Sequence, residues 1–352
     1  MKYLLLFLLG TNIAFAQGIG IPSKTGGIGF GNLPTFTGVR FNYADKHVEK
    51  INGINVTLWK TKNEDDQTGS ANGLSIGLPL TYGTADKSGI QLGLLAAGAT
   101  RDIKGISIGG LATGAGGSAK GVNVGGLGVG AGENLSGINI GGLGVGAGDD
   151  ISGLNLALLG VGAGNRLRGI SLGGLGVGSG DDIVGITVGG LGVGAGENLS
   201  GITFGGLGVG AAEKVRGITV GGIGVGAGEE LNGLSFAVVG IGAPMIKGIA
   251  VASSVGAKDS KAIVIAPAYF QSGEKDYSDD ADSDNGTMKG VAISAFNHIR
   301  GTQKGVAIGI FNYARKQKGF QIGLLNYVKD NPRGLRLLPF FNFHLKKKTD
   351  TN

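Results

Sequence analysis

The sequence predicts an all-β protein, a repeat β-solenoid of 14–16-residue coils with atypical end caps, on three observations. A phrase reading G-I-x-V-G-G-L-G-V-G-A-G-E-N-L-S recurs with its first glycine at Gly105, Gly121, Gly137, Gly153, Gly169, Gly185, Gly201, Gly217 and Gly233, sixteen residues apart throughout. A fixed period of this length marks an array whose units bury their apolar sides only against neighbours. Within each copy, apolar and polar residues alternate with strand period, as in Ile138-Asn139-Ile140. The alternation then changes phase at a glycine pair (Gly125-Gly126, Gly141-Gly142), where a corner would return both apolar sets to one interior. Like residues of successive coils would then stack about 4.8 Å apart.

On this reading Ile186, Val188, Leu191 and Val193 point inward. The polar column Asn139, Asn155, Ser171, Thr187, Thr203 and Thr219 points to water. The alternative is an antiparallel outer-membrane β-barrel, one strand per repeat, and with it a pore. Against the barrel, every turn is the same, whereas membrane barrels have short turns at one end and long loops at the other.

Residues 1–16 read as a secretory signal peptide. Lys2 supplies the charge, Tyr3 to Leu9 the apolar core, and Ala14-Phe15-Ala16 the small-x-small cleavage site before Gln17. There is no cysteine, so disulfides, zinc-thiolate sites and a lipidated cysteine are excluded. The chain therefore reads as exported, from a bacterium. Residues 17–37, rich in Gly, Pro, Ser and Thr, read as a linker. Residues 38–72, with irregular glycine spacing and the one tryptophan, Trp59, read as an N-terminal cap. Residues 73–270 are the array, 271–288 an acidic loop insertion, 289–345 C-terminal repeats and cap, and 346–352 a basic tail. In the C-terminal repeats Asn297, Asn312 and Asn326 stand where the central copies have Gly128 and Gly144 by count, which suggests a left-handed corner. Phe340, Phe341 and Phe343 are expected to plug the end.

The phrase G-F-Q-I-G-L-L-N at Gly319 to Asn326, the following NPRGLRLLPFFNFH, and NGLSIGLP at Asn72 to Pro79 resemble the bacterial surface-repeat family. The resemblance implies exported tandem units of about 15 residues at the cell surface or outer membrane, without an assigned enzymatic activity. It offers no site residues.

The chain carries +6 overall, yet Gly121 to Leu231 holds nine acidic against four basic residues, a balance of −5. With export and no basic-aromatic motif, this argues against nucleic acid. Glu133, Asp149, Asn165, Asp181, Glu197, Glu213 and Glu229 form an acidic edge column that reads as a solvated turn. Asp280, Asp282 and Asp284, followed by Gly286, resemble the spacing of a calcium loop, although the glycine falls one place late and Val291 replaces the closing glutamate. No other cofactor is indicated. The G-x-G-x-x-A string at Gly142, Gly144 and Ala147 recurs in most copies and is strand alternation, not a dinucleotide turn. His47, His298 and His344 lack partners at catalytic spacing. The expected role is a non-enzymatic, exported scaffold acting as a spacer or adhesive, with cell-surface, outer-membrane or glycan partners. A third reading makes the Asn139–Thr219 ladder an ice- or glycan-binding column.

Overall fold

A computed structural model describes residues 18–59, 68–274 and 286–344. The protein is a β-solenoid of about 17 turns, not a barrel. Its coils fall into two compact units, Met1–Gly173 and Gly174–Asn352.

A single coil of the first unit shows how the repeat folds. Leu135–Gly141 forms a strand, Gly142 and Leu143 turn the chain, and Gly144–Ala147 forms a second strand. A bend at Gly148-Asp149 leads to Ile151–Ala157, the start of the next coil. Strands pair in parallel with their copies sixteen residues on: Leu135 with Ile151, Asn139 with Asn155, Gly144 with Gly160. The second unit repeats this, Ile183 pairing with Leu199 and Thr187 with Thr203. Parallel in-register pairing overturns the barrel, whose neighbouring strands must run antiparallel.

In the first strand and at its corner the inside and outside are exchanged relative to the expectation, while Val193 points inward as read. Asn139, Asn155 and Ser171 are buried, as are Thr187, Thr203 and Thr219. Ile138, Ile140 and Leu143 are exposed, and so are Ile186 and Leu191. The interior is filled by Leu135, Asn139, Gly141 and Val145, then Ile151 of the next coil. These places all share one parity. The corners, at Gly137, Leu143 and Asp149, use that same parity to point outward, so the strand needs no phase change at Gly141-Gly142.

The opening glycine makes the first corner. Gly137 has φ +108, and a Cβ there would overlap the Gly121 carbonyl oxygen. At Gly141 an added Cβ would meet the Gly144 backbone and lie 3.2 Å from Val145 Cγ2. The interior is therefore narrow on this side and takes small polar side chains beside the larger Leu and Val.

Both ends differ from the sequence reading. Residues 17–37 were expected to be a linker, yet Ile19–Ser23 and Gly26–Phe30 form an antiparallel hairpin. The Gly- and Pro-rich composition that suggests a loop also permits this tight hairpin. Leu33 and Phe36 follow it into a buried cluster with Val48, Ile51 and Ala71. The array itself begins earlier than residue 73, because Gly38 pairs with Gly53 and Gly53 with Gly73. At the other end Leu337–Phe343 returns antiparallel along Phe320–Val328. Phe340, Phe341 and Phe343 are exposed and do not plug the end. Asn342 does: it is fully buried, accepts from Asn331 Nδ2 at 3.0 Å and donates to the Asn326 carbonyl at 3.0 Å. Asn297, Asn312 and Asn326 are interior too, with no left-handed backbone. Pairing places Val255 beside Phe270 and Phe270 beside Asn297, so these asparagines continue the inward valine column. The shorter C-terminal coils drop a corner residue, and counting from the glycine misaligns them by one.

Candidate functional site

The residues proposed as an outward ligand ladder lie inside the coils, where Asn139, Asn155 and Ser171 join one coil to the next. Asn123 Nδ2 donates to Asn139 Oδ1 at 2.9 Å, Asn139 to Asn155 at 2.8 Å, and Asn155 to Ser171 Oγ at 3.2 Å. Asn297 donates to Asn312 and Asn312 to Asn326, both at 2.7 Å. Sealed from solvent, this ladder meets neither ice nor a glycan. Asp280, Asp282 and Asp284 lie outside the described residues. Among the described residues no group of three or more His, Asp or Glu side chains is arranged to hold a metal ion.

A second buried polar group, unforeseen from the sequence, lies in the first coils. Asp45 accepts from Arg40, from Asn55 Nδ2 at 3.0 Å and from Thr57 Oγ1 at 3.2 Å. Lys87 Nζ donates to Thr81 Oγ1 at 2.7 Å. Burial pushes the Lys87 ammonium down to about 8, with Asp45 opposing the shift. Arg40, Asp45 and Lys87 are fully buried, so the cluster is a polar core without access for a ligand. Its members are scattered over three coils in a stretch of irregular glycine spacing, and no sequence pattern connects them.

What each coil offers to the outside is three faces. Between the opening glycine and the glycine-pair corner it is apolar, carrying Ile138, Ile140 and Leu143 in one coil and Ile202, Phe204 and Leu207 in another. Between the second and third corners it is nearly bare, since Gly144 and Gly146, or Gly192 and Gly194, face out. These glycines have ordinary φ, and a Cβ would find the nearest atom 3.8 Å away at Gly146 and none within 4 Å at Gly194. The fold does not require glycine at 146 or 194, although glycine in a strand costs roughly 0.5–1 kcal/mol against alanine. The third face is polar, with Asp149 and Asp150 at its corner.

The bare face changes at its margins within each unit. In the first unit Tyr82 stands at one end, where a groove of about 540 Å³ is lined by Tyr82, Ala97, Gly98, Thr113 and Gly114. In the second unit the glycines give way to an aromatic stack. Tyr269 and Phe296 lie 5.5 Å apart, Phe296 and Phe311 5.1 Å, and Tyr313 and Tyr327 5.5 Å with nearly parallel rings.

Comparison with models of protein families, with curated proteins and with solved structures found no match. On the aromatic stretch Tyr269 Oη lies 3.0 Å from His298 Nδ1. The capacity of the outward faces is for contact: a flat apolar strip, a strip open to close backbone approach, and a charged strip.

Proposed function

We propose that the protein is a non-enzymatic, exported repeat scaffold that acts as a spacer or interaction protein through the outward columns of its coils. The observation that supports this reading is the column of large aliphatic side chains left outside coils whose interiors are already filled. Soluble monomers rarely expose contiguous apolar patches beyond a few hundred Å², and larger ones mark interaction sites. In-register repetition multiplies a weak contact by the number of coils, which is how an array gains avidity. The signal-like residues 1–16 and the resemblance to surface-repeat proteins favour the envelope as its location.

Fractionation of cells producing the protein, with N-terminal sequencing of the product, tests this. The reading expects a chain beginning at Gln17 in the envelope, cleaved by protease added to intact cells. An uncleaved chain confined to the cytoplasm would overturn it.

A further inference from the structure

The second unit carries a column of lysines that the described residues neutralise only at Lys247. Lys247, Lys261, Lys289 and Lys304 precede the opening place of successive coils, and strand register sets each beside the next. Lys318 follows beside Lys304, its backbone amide bonded to the Gln303 carbonyl. Like charges directly opposite each other destabilise a sheet. Lys247 is paired with Glu230 at 2.7 Å, but Lys261, Lys289 and Lys304 are exposed and have no ion pair among the described residues.

The lysine column borders the apolar face. Ile263 and Ile265 follow Lys261 outward, Val291 and Ile293 follow Lys289, and Val306 and Ile308 follow Lys304. All four isoleucines are exposed. The returning strand extends the strip by laying Phe341 against Ile322 and Phe343 against Phe320. No carboxylate interrupts residues 247–253, 261–267, 289–295, 304–310 or 318–324.

We propose that this face docks on the surface of an anionic lipid bilayer, the isoleucines entering the acyl boundary and the lysines lying against headgroup phosphates. An apolar face with a basic margin is what interfacial binding to anionic lipid requires. Lysine stems can lie along the apolar strip while their ammonium groups reach the phosphates. A second copy of the chain would cover the isoleucines but bring no counter-charge from the same face. A soluble polyanion would meet the lysines but leave the isoleucines in water.

The proposal rests on the reading of the chain as an interaction scaffold and names what one face contacts. Its test uses purified protein and does not involve export, so the two fail separately. The protein lacking residues 1–16, which the described strands do not use, is floated with vesicles of phosphatidylcholine alone or mixed with phosphatidylglycerol. Salt-sensitive partitioning onto the anionic vesicles, well above that onto neutral ones, is expected. Replacing three lysines (Lys261→Gln, Lys289→Gln, Lys304→Gln) should weaken it about a hundredfold, at about fivefold per charge near an anionic surface. Replacing Ile265→Ser and Ile308→Ser with the lysines intact should weaken it by about tenfold or more. All five side chains are outward, and thermal melts confirm that the variants fold; the single Lys289→Gln variant serves if the triple one melts early. Absence of partitioning, or equal partitioning onto neutral and anionic vesicles, overturns the proposal. So does indifference to the isoleucine changes, which would indicate a soluble polyanion. A dimer in sedimentation velocity that the isoleucine variant dissociates, without vesicle binding, would assign the face to a second copy and overturn it equally.

Discussion

Truncating Asn139 should damage the protein far more than truncating the isoleucine next to it. Asn139 is fully buried and sits mid-ladder, accepting from Asn123 at 2.9 Å and donating to Asn155 at 2.8 Å. Asn139→Ala leaves one donor and one acceptor stranded in the interior. Each such group costs about 1–3 kcal/mol, so a loss of roughly 4 kcal/mol is expected. Ile140 is 38 % exposed, and its side chain leans on the outer surface. Ile140→Ala removes a partly buried aliphatic group and should cost about 1 kcal/mol. Arrays need not unfold in one step, so the two variants are best compared by native-state hydrogen exchange of amides in Leu135–Gly141 and the strands paired with it. A larger loss of protection for Ile140→Ala than for Asn139→Ala would refute the assignment of inside and outside.

The Oγ1 atoms of Thr187, Thr203 and Thr219 are buried with no hydrogen-bond partner in the protein, so Thr187→Val should raise stability by about 1 kcal/mol by removing an unpaired hydroxyl; a loss of that size in chemical denaturation would argue against it. Gly201 has φ +121 and an added Cβ would overlap the Gly185 carbonyl, while Gly194 has open space, so thermal melting should show Gly201→Ala strongly destabilised and Gly194→Ala near the parent. Equal melts would contradict the corner. Lys87 is pushed by burial down to about 8 from an ordinary 10.5. Between these values the unfolded chain holds a proton that the folded chain has released, so stability rises with pH across this window. Relative to Lys87→Met, the parent should gain roughly 3 kcal/mol from pH 7 to above pH 10.5 in urea titrations; a constant difference would contradict the buried ammonium.

The architecture was legible because period and alternation are backbone properties. The sixteen-residue spacing of Gly105 through Gly233 gives the coil, and the in-register pairing of those glycines follows from it. Which face of the first strand points inward was not legible, whereas the inward place of Val193 was. Alternation distinguishes two sides of a strand without labelling them, and hydrophobicity labels them only where the interior is large enough for Ile and Leu. Here the Gly144 backbone lies close against Gly141 and keeps the interior narrow, and asparagine stacking supplies hydrogen bonds that aliphatic side chains could not. The outward apolar columns, the candidate site, were present in the sequence but read as core for that reason. The lysine column was equally visible in KGVAIS and KGVAIG. Its place at the margin of an exposed face needed the register. The polar cluster of Arg40, Asp45 and Lys87 was invisible, because its members meet only through the stacking of unequal coils.

The inversion of the coil's first strand and corner is most directly measured by thiol labelling. The chain has no cysteine, so single substitutions at Ile186, Thr187, Val188, Leu191 and Val193 each report one site. The structure predicts rapid labelling at 186, 188 and 191, where side chains face outward, and protection at 187 and 193 in the folded protein. Rapid labelling at 187 with protection at 186, 188 and 191 would contradict it.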